Sequence, residues 1–174
     1  MTRPQRLAPW AFLLIALAYL AAGLTPAKKD AAYDWAAFGR IPVSAQGRTK
    51  PLDTFARNTM MQLSGRQTYT AEQGSRPAIE WLADALAHPD RAAQRQVFRI
   101  DHPDLLSMLG LATGEGGRKR FSFDELQPKF QEIAKQSERA SNIPAKQQDP
   151  FQRAVLDLHQ RLSIYIDINR MDSP

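Results

Sequence analysis

Two cations, Arg48 and Lys50, stand directly ahead of a proline in QGRTKPLDTFAR, residues 46 to 57. Pro51 suits the first position of a helix, because the N–H it lacks would have no partner there. Asp53 then falls in the first turn, where the helix dipole favours an anion. The free N–H groups of that turn, together with Arg48 and Lys50, can dock a carboxylate or a phosphate. The plainer alternative is a turn at Gly47, a helix start at Pro51 and cations that are merely solvated, since most helix N-termini hold only water. The candidate anion- or partner-binding set is Arg48, Lys50, Asp53 and Arg57.

Other chemistry is sparse. The three histidines are His88, His102 and His159, and no two of them have the i, i+4 spacing that would let one helix present a pair to a metal. His88 precedes a proline at a helix end, His102 lies in a cap region, and His159 sits beside Leu158. There are no cysteines, which removes disulfides, thiolate zinc sites, thiol nucleophiles and C-x-x-C-H attachment of haem. No G-x-S-x-G elbow and no phosphate-binding G-x-x-x-x-G-K-[ST] loop occurs. DEL at 124–126 reads as helix capping, and GEGGRKR at 114–120 as a basic surface loop. The expectation is a protein that works by contact, with no catalytic, cofactor-binding or metal-binding residue of its own.

The net charge is +5. Setting aside Arg3 and Arg6 leaves 21 Lys and Arg against 18 Asp and Glu, about +3. That mild basic bias suits anionic lipid, phosphate or carboxylate and falls far short of a nucleic-acid footprint.

These residues must be positioned by a small scaffold. Residues 1–6 are basic, and residues 7–24 carry no charge. Eighteen residues at about 1.5 Å each reach roughly 27 Å, enough for a thin bilayer core. We therefore expect a signal anchor or transmembrane segment over 1–27, with cleavage after Ala27 as the alternative. Residues 28–174 would then form an exported helical domain, single-pass in the cytoplasmic membrane and facing the periplasm.

Within that domain, residues 28–38 read as a linker ending in Trp35 and Phe38. Residues 40–50 read as a short extended or hairpin element, held to an edge by Pro42. Apolar spacing predicts a helix over 51–64, with Leu52, Phe55, Ala56, Met60 and Leu63 on one face and Gly65 as its stop. A polar loop over 65–74 should lead to a second helix from Ser75 to Ala87, flanked by Trp81. A β-prone piece at 96–101 precedes a brief helix at 102–110. Ser122 and Glu125 match the S-x-x-E capping box and open a helix to Ala140. Asp149 and Pro150 begin the last and longest helix, to Arg170. The fold class expected is mainly α: one N-terminal transmembrane helix and a small helical domain with a short hairpin element.

The stretch IPVSAQGRTKPLDTFARNTMMQLSG resembles a segment of cytochrome c biogenesis membrane proteins of the system II, CcsA/ResC-like group. The shared pattern is G-R-x-K-P-L-D-T-F-A-R, here Gly47, Arg48, Lys50, Pro51, Leu52, Asp53, Thr54, Phe55, Ala56 and Arg57. The later VFRIDHPDLLSMLGL and RFSFDEL fit the same order, so the resemblance covers roughly residues 38–126. It implies an accessory or scaffold role in c-type cytochrome maturation. The implied partners are other maturation membrane proteins and the apocytochrome, with haem present in the wider complex. The tryptophan-rich haem-handling loop of such proteins has no counterpart among the three separated tryptophans of this chain. The alternative is a binding module for an anionic ligand or envelope partner, unrelated to haem.

Overall fold

The computed structural model describes residues 10, 13–19, 33–45, 47–71, 74–111 and 117–170. The chain divides into two units, Met1–Trp35 and Ala36–Pro174. In the first unit residues 13–19 are helical, and Leu13, Leu14, Ile15, Leu17 and Tyr19 are all more than half exposed. The expected transmembrane helix is corrected here. Among the described residues no helix is long and apolar enough to cross a membrane. Apart from Trp10, the rest of that apolar segment, and the cleavage position at Ala27, lie outside the described residues.

Among its described residues the second unit is helical with three two-stranded antiparallel sheets. Helix α1 covers Trp35–Gly39 and begins in the first unit. Strands β1 (Pro42–Ala45) and β2 (Arg48–Pro51) pair with Pro42 opposite Pro51 and Ala45 opposite Arg48. Gly47, at φ +72°, makes the tight turn between them, a conformation in which only glycine escapes a Cβ penalty. The hairpin at 40–50 is thus present, and helix α2 (Leu52–Ser64) follows it directly. Pro51 lies just outside the helix, in extended conformation with ψ 143°. It closes the strand, and its fixed φ aims the chain into the first turn. The predicted stripe is buried at Leu52, Ala56, Met60 and Leu63. Gly65 ends the helix in the left-handed region, its N–H bonded to Met61 O.

The same unit then recurs. Strands β3 (Thr68–Ala71) and β4 (Gly74–Pro77) pair with Thr68 opposite Pro77, and helix α3 (Ala78–Ala87) starts immediately after that proline, whose ψ is 145°. Residues 65–74 are therefore not a loop throughout, and Ser75 lies in a strand instead of capping a helix. No internal repeat is visible by sequence identity, because what recurs is hairpin, proline and helix. Helix α4 (Pro89–Ala93) completes this half.

The third sheet joins distant segments: β5 (Phe98–Arg99) pairs with β6 (Arg120–Phe121). Between them lies α5 (Pro103–Leu109), stopped by left-handed Gly110. The predicted helix 122–140 is real but broken. Ser122 and Glu125 form the full capping box of α6 (Phe123–Leu126). Pro128 then forces a 3₁₀ turn at Gln127–Lys129 before α7 (Phe130–Ser141), as a proline that cannot donate to the helix ladder must. Helix α8 (Pro150–Arg170) packs along α7 and across α2, α3 and α5. Asp149 and Gln152 cap it reciprocally, at 2.7 and 3.0 Å.

The core centres on Tyr165 of α8, which is fully buried. Its ring stacks on Phe123 at 4.5 Å, meets Phe98 edge-on at 5.5 Å and leans on Trp81 at 6.2 Å. Such pairs add about 0.5–1.5 kcal/mol each beyond the area they bury. Trp81, expected only to flank its helix, is fully buried in this cluster. Val155, Leu158, Leu162 and Ile168 extend the buried face of α8.

Candidate functional site

The hairpin β1–β2 and the first turn of α2 hold the four candidate residues. Strand alternation puts Arg48 and Lys50 on one face of β2, opposite Ala45 and Val43 respectively. Arg48 is exposed and Lys50 half-buried. Among the described residues no ion pair joins either of them to a carboxylate. Asp53 and Arg57 come together one turn apart, Asp53 Oδ2 accepting from Arg57 Nε at 2.8 Å. That pair is solvent-exposed at 33% and 53%, so it contributes only a few tenths of a kcal/mol. Two tertiary contacts fix the turn in place. Leu52 N–H donates to Ile41 O at 2.8 Å, and Gly39 packs against Asp53. The arrangement presents two cations on a rigid hairpin strand, ahead of a helix start whose first-turn carboxylate is already paired with Arg57.

A second constellation was not visible in the sequence. A half-open cleft of about 360 Å³ lies between α8 and the segment leading from β5 into α5. Its apolar floor includes Ile100, Leu105, Ala154 and Leu158, and its rim carries Arg99, Asp101, His102, Asp157 and Arg161. The rim is cross-braced. Arg161 Nη1 donates to Arg99 O at 2.8 Å, and Arg161 Nη2 pairs with Asp157 at 2.6 Å. Arg99 Nε pairs with Asp101 Oδ2 at 2.7 Å, and Lys119 approaches Asp101 at 3.4 Å. Burial alone would raise the Asp101 carboxyl, but bonds and charge from Arg99 and Lys119 outweigh it and hold it below the ordinary value.

His102 is the one histidine placed in this cleft. Its ring meets Phe151 edge-on at 5.9 Å. Its Nδ1 is buried with no hydrogen-bond partner among the described residues. His88 and His159 are exposed, His88 joining α3 to α4 and His159 on α8. Among the described residues no group of three or more His, Cys, Asp or Glu is arranged to hold a metal ion. The sequence hid this region because its parts lie some sixty residues apart, on β5 and α8, and each cation by itself reads as solvated surface.

No protein-family model matches the chain. It is similar to Protein NrfI of Wolinella succinogenes, 26% identical over 128 residues, which cover 73% of this chain and 14% of NrfI. The chain therefore spans only a small part of the relative it matches.

Proposed function

We propose that this chain is an accessory or scaffold component of c-type cytochrome maturation that acts by protein–protein contact. The observation that carries the reading is the likeness to Protein NrfI over 128 residues, which points to cytochrome c maturation. The G-R-x-K-P-L-D-T-F-A-R block, with its system II resemblance, points the same way.

The geometry suits contact. Arg48 and Lys50 ride on a hairpin strand backed by α2 and pinned by the Leu52–Ile41 hydrogen bond, a preorganised surface for an acidic partner. Such a surface steers association and sets specificity more than it adds raw affinity. The partners are other maturation membrane proteins, with the apocytochrome and haem in the same assembly, and the basic then charge-free opening of the sequence supports work on the exported side. A photo-activated cross-linker placed at Arg48 in cells tests the contact. Covalent capture of another cytochrome c maturation protein is expected, and a pattern identical to that of a cross-linker placed at exposed His159 would overturn it.

A further inference from the structure

Cations from four elements or loops gather where α2 ends. Arg161 Nη1 reaches Leu63 O at 3.4 Å, and Arg120 Nη2 reaches Ser64 O at 3.2 Å. Arg99 Nη1 stands 3.6 Å from where a Cβ on Gly65 would lie. Arg66 follows Gly65 in the chain, and its charge acts on Arg120. Capping the last carbonyls of a helix accounts for one or two cations. It does not account for the others. Arg99 and Lys119 share Asp101, and Arg161 takes Asp157. Among the described residues Arg66 and Arg120 have no carboxylate partner. Five cations thus face two acids.

The cluster adjoins the cleft, because Arg99 and Arg161 belong to both. We propose that cluster and cleft together form a binding site for a small organic anion. Its apolar body would lie on Ile100, Leu105, Ala154 and Leu158, and its carboxylate or phosphate head on Arg66, Arg99 and Arg120. Guanidinium forks match both head groups in shape and charge. The cleft volume is at the small end of ligand pockets, and a mostly apolar floor with a few convergent polar groups is their usual composition. Crowded like charges around a partly buried arginine are costly until an anion joins them. Burial, then the charges of Arg66 and Arg99, pulls Arg120 below its ordinary value. The proposal stands independently of the maturation role.

Calorimetric titration of the full chain tests it with octanoate and octyl phosphate against acetate, inorganic phosphate and octanol. The amphiphilic anions should bind at least about tenfold tighter than either the head groups alone or the neutral alcohol. Arg66 is exposed, so Arg66→Gln should weaken octyl phosphate by about tenfold at an unchanged melting temperature. Ala154→Phe, which fills the floor, should weaken octyl phosphate and leave inorganic phosphate as it was. Equal affinity for inorganic and octyl phosphate, or octyl phosphate binding unchanged in Arg66→Gln, would overturn the proposal. The octanoate and octyl phosphate arms distinguish a carboxylate from a phosphate ligand.

Discussion

Gly39 and Asp53 are packed so closely that a Cβ on Gly39 would stand 2.9 Å from the Cβ of Asp53. Gly39 closes α1 and is buried, while Asp53 lies in the first turn of α2. The missing side chain is what lets the segment before the first hairpin lie against the helix after it. The obstructing atom is a Cβ fixed to a helix and cannot swing aside. Gly39→Ala should therefore destabilise the domain by about 1–3 kcal/mol. The shift of the urea midpoint measures it, and an unchanged midpoint would mean that the approach is looser than described.

Tyr165 separates packing from polarity. Its ring is the hub of the aromatic cluster, whereas its buried hydroxyl lies beside Asn169 and makes no well-formed hydrogen bond among the described residues. Burial raises its pKa. Tyr165→Phe should be nearly neutral or slightly stabilising, since it removes a polar group that has no good partner. Tyr165→Leu should cost about 2–4 kcal/mol through lost contacts with Phe123, Phe98 and Trp81. Thermal or denaturant unfolding of the two variants checks the contrast.

Glu125 makes the start of α6 sensitive to acid. Burial would raise its carboxyl, but the backbone N–H of Ser122, Arg118 and the Ser122 hydroxyl outweigh burial and hold it below its ordinary 4.5. A carboxylate depressed in the folded state contributes stability above its unfolded pKa and loses it as pH falls through the folded value. Glu125→Gln keeps an acceptor for the capping box and cannot titrate. The wild-type advantage over Glu125→Gln should be full well above the ordinary value of 4.5 and be lost progressively as pH falls through the lower folded value. Glu125→Ala should cost about 0.5–2 kcal/mol near neutrality. Unfolding midpoints across pH 3–7 measure both effects.

Much of this domain could be read from the chain, for reasons tied to particular residues. Gly65 and Gly110 stop helices in the left-handed region, and Ser122 with Glu125 is a local pattern that needs no tertiary help. The apolar spacing of Leu52, Ala56, Met60 and Leu63 likewise decides its own burial. The second hairpin leaves little local signal because Thr68–Ala71 is short and buries only Tyr69, and its pairing with Gly74–Pro77 becomes evident only beside its twin at Pro42–Pro51. Strand β6 has two residues and exists only because Phe121 meets Phe98 across twenty-odd residues. The transmembrane helix is an expectation from an 18-residue charge-free run, whereas no helix among the described residues is long and apolar enough to cross a membrane. Arg48, Lys50, Asp53 and Arg57 lie within ten residues of one another, so their placement on one hairpin strand and the helix after it could be read locally. The arginine cluster and its cleft could not, because long-range convergence leaves no local signature.

Arg48 and Lys50 should be separable from the fold. Arg48 is exposed, and among the described residues neither side chain has an ion-pair partner. Replacing both by alanine should change stability by no more than about 0.5 kcal/mol, with a melting temperature within a degree or two of wild type. A larger loss would show that the hairpin cations serve the fold itself.

The central claim, a part in c-type cytochrome maturation, is tested most directly by staining covalently bound haem in c-type cytochromes from cells lacking this chain. The account predicts that the haem-stained bands weaken or disappear while the apocytochromes are still made, and that the wild-type chain restores them. Haem-stained c-type cytochromes at undiminished levels in the deletion strain would contradict it.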